Sequence, residues 1–496
     1  MKKNLTRSAT CIAILLILSK LLGFLREILL ADRFGTSYIA DAYAVSTTLP
    51  AVLFTLVSKG FSESYIPIHA RLIPEKQGRL FSNTVTLMTL FSTFVAVVAA
   101  LLAPQITGIL APGYEGVVAQ LTAQYCRIMV FQLPILVCFA LLSARLQAQE
   151  DFIPGSFCDF IIVNVILILS IYLATPEHPM MLAYGYIISM GVALAALWLY
   201  ARCKHGLRVR PVVDPKDSDF RSLCALAIPL GLSLLVDQLN GMVDRMFASG
   251  LGEGVTSALS YANRVQSILL TLTTTIFIQV CYPRMNRHFA AGQREEGSGY
   301  VQKAILIACY TSIPLVVMFV LYASPVVSVI FQRGAFSDDS TAITAACLSL
   351  YALGIPFFAF RTILTNTLAA NTKQKLILRN TVITVAANIL FNVLMVRYWG
   401  YRGLALATSL SGVLAAGLMF FDVRRLKLPV FTRHQALDVA KYIVGTGLAA
   451  AVSVLVNRCL QDSVGTNWAA MAAIAAAAVV YIVVTVLLKP ELLVWL

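Results

Sequence analysis

Residues 19–35 read SKLLGFLREILLADRFG. The stretch continues an apolar run that begins at Cys11, and it carries Lys20, Arg26 and Glu27 inside it. On a helix crossing a bilayer, each such charge costs roughly 2.5–3.5 kcal/mol near the centre. The fold turns on whether this stretch crosses a membrane, and the function on what its charges face.

Composition answers the first question. Of 496 residues, 59% are hydrophobic and 12% charged, with a mean hydropathy of +0.80. Soluble domains are about half apolar and a quarter charged, so this is an all-α polytopic membrane protein. A net charge of +14 would suggest nucleic acid in a soluble chain. Here the basic residues belong to cytoplasmic loops facing anionic headgroups. The ten cysteines stand singly, with no CxxC pair, which gives neither a disulfide framework nor a zinc site. They read as small apolar packing residues. Lys2, Lys3 and Arg7 before an apolar run mimic a signal peptide, but no clean small-x-small site follows. The segment reads as an uncleaved first span.

A crossing helix takes about 20 apolar residues. Fourteen stretches qualify: 9–30, 37–58, 81–103, 118–142, 153–174, 180–201, 221–243, 256–282, 301–323, 342–368, 379–397, 402–421, 438–458 and 467–488. With the N-terminus inside, 27 of the 38 Lys and Arg fall in inside segments and six in outside loops. That bias alternates loop by loop, as the positive-inside rule requires, and it predicts two cytoplasmic termini.

Two stretches read alike. FGTSYIADAYAVSTTLPAVLFTLVSKGFSESYIPIHAR (34–71) parallels LGEGVTSALSYANRVQSILLTLTTTIFIQVCYPRMNR (251–287), matching Tyr43 with Tyr261, Pro67 with Pro283 and Arg71 with Arg287. GYEGVVAQLTAQYCRIMVFQLP (113–134) resembles GAFSDDSTAITAACLSLYALGIP (334–356) at a similar offset. The offset lays spans 1–6 over spans 7–12. An even number of spans keeps both halves in one orientation, and parallel repeats of this kind mark transporters. The expected organisation is a six-helix repeat over 1–201, a basic cytoplasmic linker over 202–220, a second repeat over 221–425, and an extra helix pair over 438–490.

The intramembrane polar residues form two groups. Lys20 and Glu27, seven apart, share a helix face, while Arg26 points about 120° from Lys20 on a regular helix. Gly23 between them allows a kink. Either these residues form an interfacial ion pair with a snorkelling lysine, or they wall a cationic cavity. Arg264 in span 8, beside Tyr261 and Asn263, supports the second reading. Asp41 at the start of span 2 is a candidate counter-ion for Arg26 or Lys20. A cationic cavity flanked by two repeats would attract an anionic substrate. The second group is Asp237 in span 7, Asn388 and Asn392 at i and i+4 in span 11, and Thr408 in span 12. Such oxygen donors either hold a hard cation or hydrogen-bond between helices. Arg127 and Arg361 read as snorkelling or structural, and the run TLTTTIF in span 8 either lines a wet cavity or packs. No Walker A, HExxH or GxSxG motif occurs and no histidines pair at ligand spacing, so nothing recommends an enzyme.

SKLLGFLREILLADRFG, ADAYAVSTTLP, SYIP and ASGLGEGVTSALSYANRV together resemble the MurJ/MviN family of lipid II flippases, over essentially the whole chain. That family lies within the multidrug/oligosaccharidyl-lipid/polysaccharide exporter superfamily. The resemblance implies a V-shaped pair of six-helix bundles plus two extra C-terminal helices forming a groove for a lipid tail. It implies movement of undecaprenyl-pyrophosphate-linked peptidoglycan precursor across the bacterial cytoplasmic membrane by alternating access, driven by membrane potential or a cation gradient. Carried over residue by residue, the pyrophosphate-binding and gating positions fall on Lys20, Arg26, Asp41 and Arg264. A sodium site described for some members falls on Asp237, Asn388, Asn392 and Thr408. The resemblance also implies lipid II and membrane lipids as partners, with cell-wall synthesis enzymes as further candidates. The chain departs from the pattern at Lys20, which lacks the fork of arginine; at Phe54 and Thr55, where some members carry arginine; and at Asn263 and Asn392, where carboxylates occur. Three alternatives stay open: a flippase for another lipid-linked oligosaccharide, a cation-coupled drug exporter, and a membrane scaffold for cell-wall enzymes.

Overall fold

A computed structural model describes residues 2–488; side chains are described for all of these except residues 2–10, 12, 13, 74, 233, 236, 237, 276 and 433. A chain this apolar satisfies its backbone groups in hydrocarbon only as helices or a closed barrel. Among the described residues it forms helices, with a single isolated bridge between Thr175 and His178 and no strand. Eleven helical segments among these residues are long and apolar enough to cross a membrane.

Contacts divide the chain into two units. The first comprises Met1–Ser257 together with Arg333–Phe336. Its helices are α1 (Lys2–Phe34), α2 (Tyr38–Ser46), α3 (Thr48–Phe54), α4 (Gly60–His69), α5 (Pro74–Leu101), α6 (Ala103–Leu110), α7 (Gly116–Met129), α8 (Gln132–Ala148), α9 (Ile153–Phe157), α10 (Val163–Leu173), α11 (Met181–His205) and α12 (Ser218–Ser249). Phe81, Leu133, Leu141, Leu197 and Leu223 are central to its larger core. The segment after α12 folds back onto the same unit. The Gly113 amide donates to Ser249 Oγ at 3.1 Å, the Tyr38 amide to Glu253 Oε1 at 2.9 Å, and Tyr114 Oη to Thr256 Oγ1 at 2.9 Å. The Ala335 amide donates to the Asp32 carbonyl at 2.8 Å.

The second unit comprises Ala258–Gln332 and Ser337–Leu496. It contains most of α13 (Val255–Ile276), then α14 (Tyr282–Ala290), α15 (Arg294–Leu321), α16 (Ala323–Phe331), α17 (Asp338–Ala370), α18 (Gln374–Arg425), α19 (Arg433–Val464) and α20 (Thr466–Leu487). One core gathers Phe277, Met285, Ile363, Leu368, Met419 and Val423. Another packs Tyr322 and Val326 against Ala449, Ala470, Ala473 and Tyr481 of the final helix pair.

α18 runs for 52 residues but is non-helical at Gly400, where φ is +53°. A straight helix would hold Asn380 and Asp422 about 63 Å apart at 1.5 Å per residue. Instead Asn380 Nδ2 donates to Asp422 Oδ2 at 2.7 Å. The chain therefore doubles back at Gly400, and spans 11 and 12 are the two arms of one hairpin, closed by Arg379 donating to Asp422 at 2.6 Å.

Three π-helical turns interrupt the long spans, at Thr55–Lys59, Cys158–Ile162 and Phe277–Cys281. The last directly precedes Pro283, which has no N–H to give and crowds the carbonyl four residues back. The first abuts Gly60, where α4 and α12 cross. A Cβ on Gly60 would lie 2.1 Å from the Ala227 carbonyl oxygen and 2.8 Å from the Gly231 amide nitrogen. Small residues permit this backbone approach, as they do between membrane helices generally.

Candidate functional site

The opening charges sit on α1. Arg26 and Glu27 are half-buried and form an ion pair at 2.9 Å. Arg26 lies within electrostatic reach of Tyr43 and Tyr186. Lys20, two turns earlier, is exposed. Three of the four expected binding and gating residues, Lys20, Arg26 and Asp41, thus belong to the first unit, and Arg264 belongs to the second.

Asp41 is not placed as a counter-ion to Arg26 or Lys20. It is 1% exposed, and both its oxygens are taken by backbone. The Gly254 amide donates to Oδ2 at 2.6 Å and the Ser257 amide to Oδ1 at 2.7 Å. These N–H groups start α13, where the first turn has no intrahelical acceptor and the helix dipole favours a negative charge. Asp41 is an N-cap delivered from another span. Sequence spacing pairs Tyr43 with Tyr261 but shows nothing of this cap, because the acceptor lies more than 200 residues from its donors.

Arg264 is half-buried on α13. It follows Tyr261, which is buried with its ring 5.3 Å from that of Phe331. Two residues on, Gln266 donates to the Tyr351 carbonyl at 2.9 Å. Further along α13, Thr271, Thr273, Thr274 and Thr275 each donate to a carbonyl three or four residues back, at 2.6–2.8 Å. The hydroxyl run TLTTTIF is therefore satisfied by its own helix. Such back-bonding bends helices, and the π turn at Phe277–Cys281 follows directly.

In α18, Asn388 and Asn392 are both fully buried, and Asn392 Nδ2 donates to Asn388 Oδ1 at 3.1 Å. The Asn388 amide nitrogen has no hydrogen-bond partner. Thr408 donates to the Leu404 carbonyl at 3.1 Å. These are neutral oxygen donors of the kind that suits a hard cation, and the orphaned amide marks a polar spot in the interior. The Asp237 side chain, the one charged member of the expected set, lies outside the described residues. No cluster of three His, Cys, Asp or Glu occurs among the described residues.

Two polar clusters escape sequence reading. Arg145 is 8% exposed. It donates to His69 Nε2 and more weakly to Tyr65 Oη at 3.5 Å, and lies 5.9 Å from the Phe81 ring centroid. In the loop before α9, Asp151 accepts from Tyr200 Oη at 2.8 Å, His205 Nε2 at 2.9 Å and Lys204 Nζ at 3.1 Å. Burial acts to raise its pKa, but the hydrogen bonds from His205, Tyr200 and Lys204 outweigh it and hold the carboxyl below the usual carboxylate range.

An all-helical chain with charged residues set into its long apolar helices defines a class: it has the fold of the multidrug and lipid-linked exporters. An inward-facing MATE transporter of the MOP superfamily superimposes with a TM-score of 0.69, at 14% identity, over 82% of this chain and 94% of that one. A lipid II flippase MurJ in an inward closed conformation superimposes with a TM-score of 0.83, at 19% identity, over 97% of this chain and 99% of that one. A family model for lipid II flippase MurJ matches residues 30–478, and the chain belongs to that family. It is 27% identical over 435 residues to a probable lipid II flippase MurJ of Rickettsia prowazekii, covering 86% of this chain and 85% of the relative. It is 26% identical over 468 residues to a probable lipid II flippase MurJ of Rhizobium tropici, covering 90% and 86%.

Proposed function

We infer that this protein moves lipid II, the undecaprenyl-pyrophosphate-linked peptidoglycan precursor, from the cytoplasmic to the outer leaflet of the bacterial inner membrane. The family match over residues 30–478 carries that reading. Fourteen spans follow when α1 and α12, of 33 and 32 residues, join the eleven segments and the α18 hairpin counts as two. The repeats would then be 1–201 and 221–425, joined by the 202–220 linker, with the 438–490 pair offering a groove to the lipid tail. Both termini would be cytoplasmic.

A pyrophosphate cannot enter hydrocarbon bare. Lys20, Arg26 and Arg264 would neutralise it through charge-assisted hydrogen bonds, with Glu27 holding Arg26 in place between cycles. Asp41, which caps α13, would take part in gating. Asp237, Asn388, Asn392 and Thr408 would hold sodium if a sodium gradient drives the cycle, and the ion would supply that driving force. Contact with cell-wall synthesis enzymes would bring the product to its consumers.

The test is a cell depleted of its own lipid II flippase and supplied with this chain, in which lipid II exposed to an externally added cleaving toxin is measured. Restored cleavage supports the function, and Arg264→Ala at equal expression should lower it at least tenfold. Absence of restoration by correctly inserted protein would favour another lipid-linked oligosaccharide.

A further inference from the structure

α20 offers two chemically different surfaces along one line. Trp468, Ala472, Ala475, Val479, Ile482 and Val486 recur at helical spacing. Trp468 is 66% exposed, and Val479, Ile482 and Val486 are also exposed. This apolar stripe runs about 27 Å at 1.5 Å per residue, comparable to the hydrocarbon thickness. At its N-terminal end, beside Trp468, it meets a polar cleft of about 550 Å³ lined by Ser324, Ser328, Gln332, Asp338, Thr466 and Asn467, among others.

All of these residues lie in the second unit. They come from α16, the turn after it, the start of α17 and the start of α20. One hydrogen-bond chain orders them: Asn467 Nδ2 donates to Ser328 Oγ at 2.7 Å, Ser328 Oγ donates to Gln332 Oε1, and Gln332 Nε2 donates to Asp338 Oδ1. The chain fixes three side chains and the carboxylate while leaving hydrogen-bonding capacity unspent on each amide and on the second Asp338 oxygen. Ser324 and Thr466 add two hydroxyls to the same wall. The wall named here is hydroxyls, amides and one carboxylate, with no cation and no aromatic ring. That composition is poorly matched to phosphate. It matches a ligand that both donates and accepts many neutral hydrogen bonds, such as a sugar bearing hydroxyl and acetamido groups. The volume is in the range of small-molecule sites.

We propose that this cleft is a saccharide subsite, holding the disaccharide of a lipid-linked substrate whose tail lies along the α20 stripe. The proposal rests on the flippase reading, and on the orientation that places the 331–338 and 464–467 turns outside. The cleft then receives the sugars as the headgroup leaves the protein. The cationic residues neutralise the pyrophosphate during the crossing, and the neutral cleft takes the sugars at the later step of release.

The probe is the soluble N-acetylated disaccharide-pentapeptide without pyrophosphate or lipid, applied by equilibrium dialysis to the purified full-length protein. Saturable binding is expected. It should weaken at least tenfold in the Ser328→Ala/Asn467→Ala variant, and also in Ser328→Phe, which fills the cleft from a partly exposed position. The free disaccharide should compete and the free pentapeptide should not. No saturable binding by wild type, equal binding by both variants, or competition by the peptide alone each overturns the proposal. A wild-type protein that restores lipid II exposure yet ignores the disaccharide sinks the subsite alone. One that binds the disaccharide through these residues yet restores no lipid II exposure sinks the flippase reading and leaves the saccharide site standing.

Discussion

Asp41 shows how a single residue can be found by sequence and yet misread by it. A carboxylate at a span start beside cationic helices suggests an ion pair, whereas the fold gives it two backbone amides. Removing it strands two donors in a buried place, each worth about 1–3 kcal/mol. Asp41→Ala should therefore lower the thermal midpoint of purified protein clearly, while Lys20→Ala, at an exposed position, should leave it within a degree or two; equal effects would contradict the cap. Asp151 makes a second residue-scale prediction. Its folded-state pKa is depressed, so its contribution is present above the unfolded value of about 3.9 and is lost as pH falls through the lower folded value. Wild type should lose stability relative to Asp151→Asn as pH drops from about 5 to 3, measured by thermal unfolding across that range. A parallel decline in both proteins would remove the loop cluster from the account. Arg26 and Glu27 were legible as a pair because adjacency alone brings them within reach. The Arg145–His69 contact was not, since 76 residues separate them and neither falls in a recognisable motif.

At the scale of elements, hydropathy finds long apolar helices because hydrocarbon thickness sets the length of a crossing. The expected 221–243 and 342–368 sit inside α12 and α17. What hydropathy did not reveal is where spans break. The π turn before Pro283 has a sequence cause that could have been read from the proline. The turn at Thr55–Lys59 has none, and its reason is tertiary: α12 crosses at Gly60. The two glycines at that crossing make a sharp comparison. A Cβ on Gly60 would collide with backbone at 2.1 Å, whereas one on Gly231 meets its nearest atom at 3.5 Å, an ordinary contact. Gly60→Ala should reduce the yield of folded protein and its thermal midpoint, and Gly231→Ala should leave both near wild type. Fluorescence-detected size-exclusion chromatography of the two variants checks this, and equal tolerance would mean the helices separate without consequence. The α18 hairpin was read as two spans from its apolar pattern, and Gly400 with its positive φ supplies the turn such a pattern needs.

For the whole molecule, the charge bias of the loops is a topological statement, and two native cysteines test it without engineering a new site. Cys203 and Cys459 are exposed. Cys203 lies at the start of the basic linker and Cys459 beside Arg458 before the final span. In intact cells, a membrane-impermeant maleimide should label a variant keeping only Cys459 and spare one keeping only Cys203. Permeabilisation should make Cys203 reactive. The reverse pattern would invert every loop and with it the direction of transport. The family and the all-helical, membrane-crossing character were readable from the chain because each is written in local composition or local motifs. The division of contacts, which places Ser218–Ser249 with the first unit, depends on packing across long separations that no local pattern records.

The cap on α13 also has a consequence for genetics. Where two side chains form a latch, loss of one can be repaired by altering the other, and suppressor screens reveal the pair. Here one side of the latch is main chain. A selection for second-site suppressors of Asp41→Ala should return no exchanged-charge partner at Gly254 or Ser257, because no substitution there restores an acceptor for their own amides. Compensation would have to come from substitutions that steady the start of α13 by unrelated means, and the map of such suppressors would trace the packing around that helix end rather than the bond.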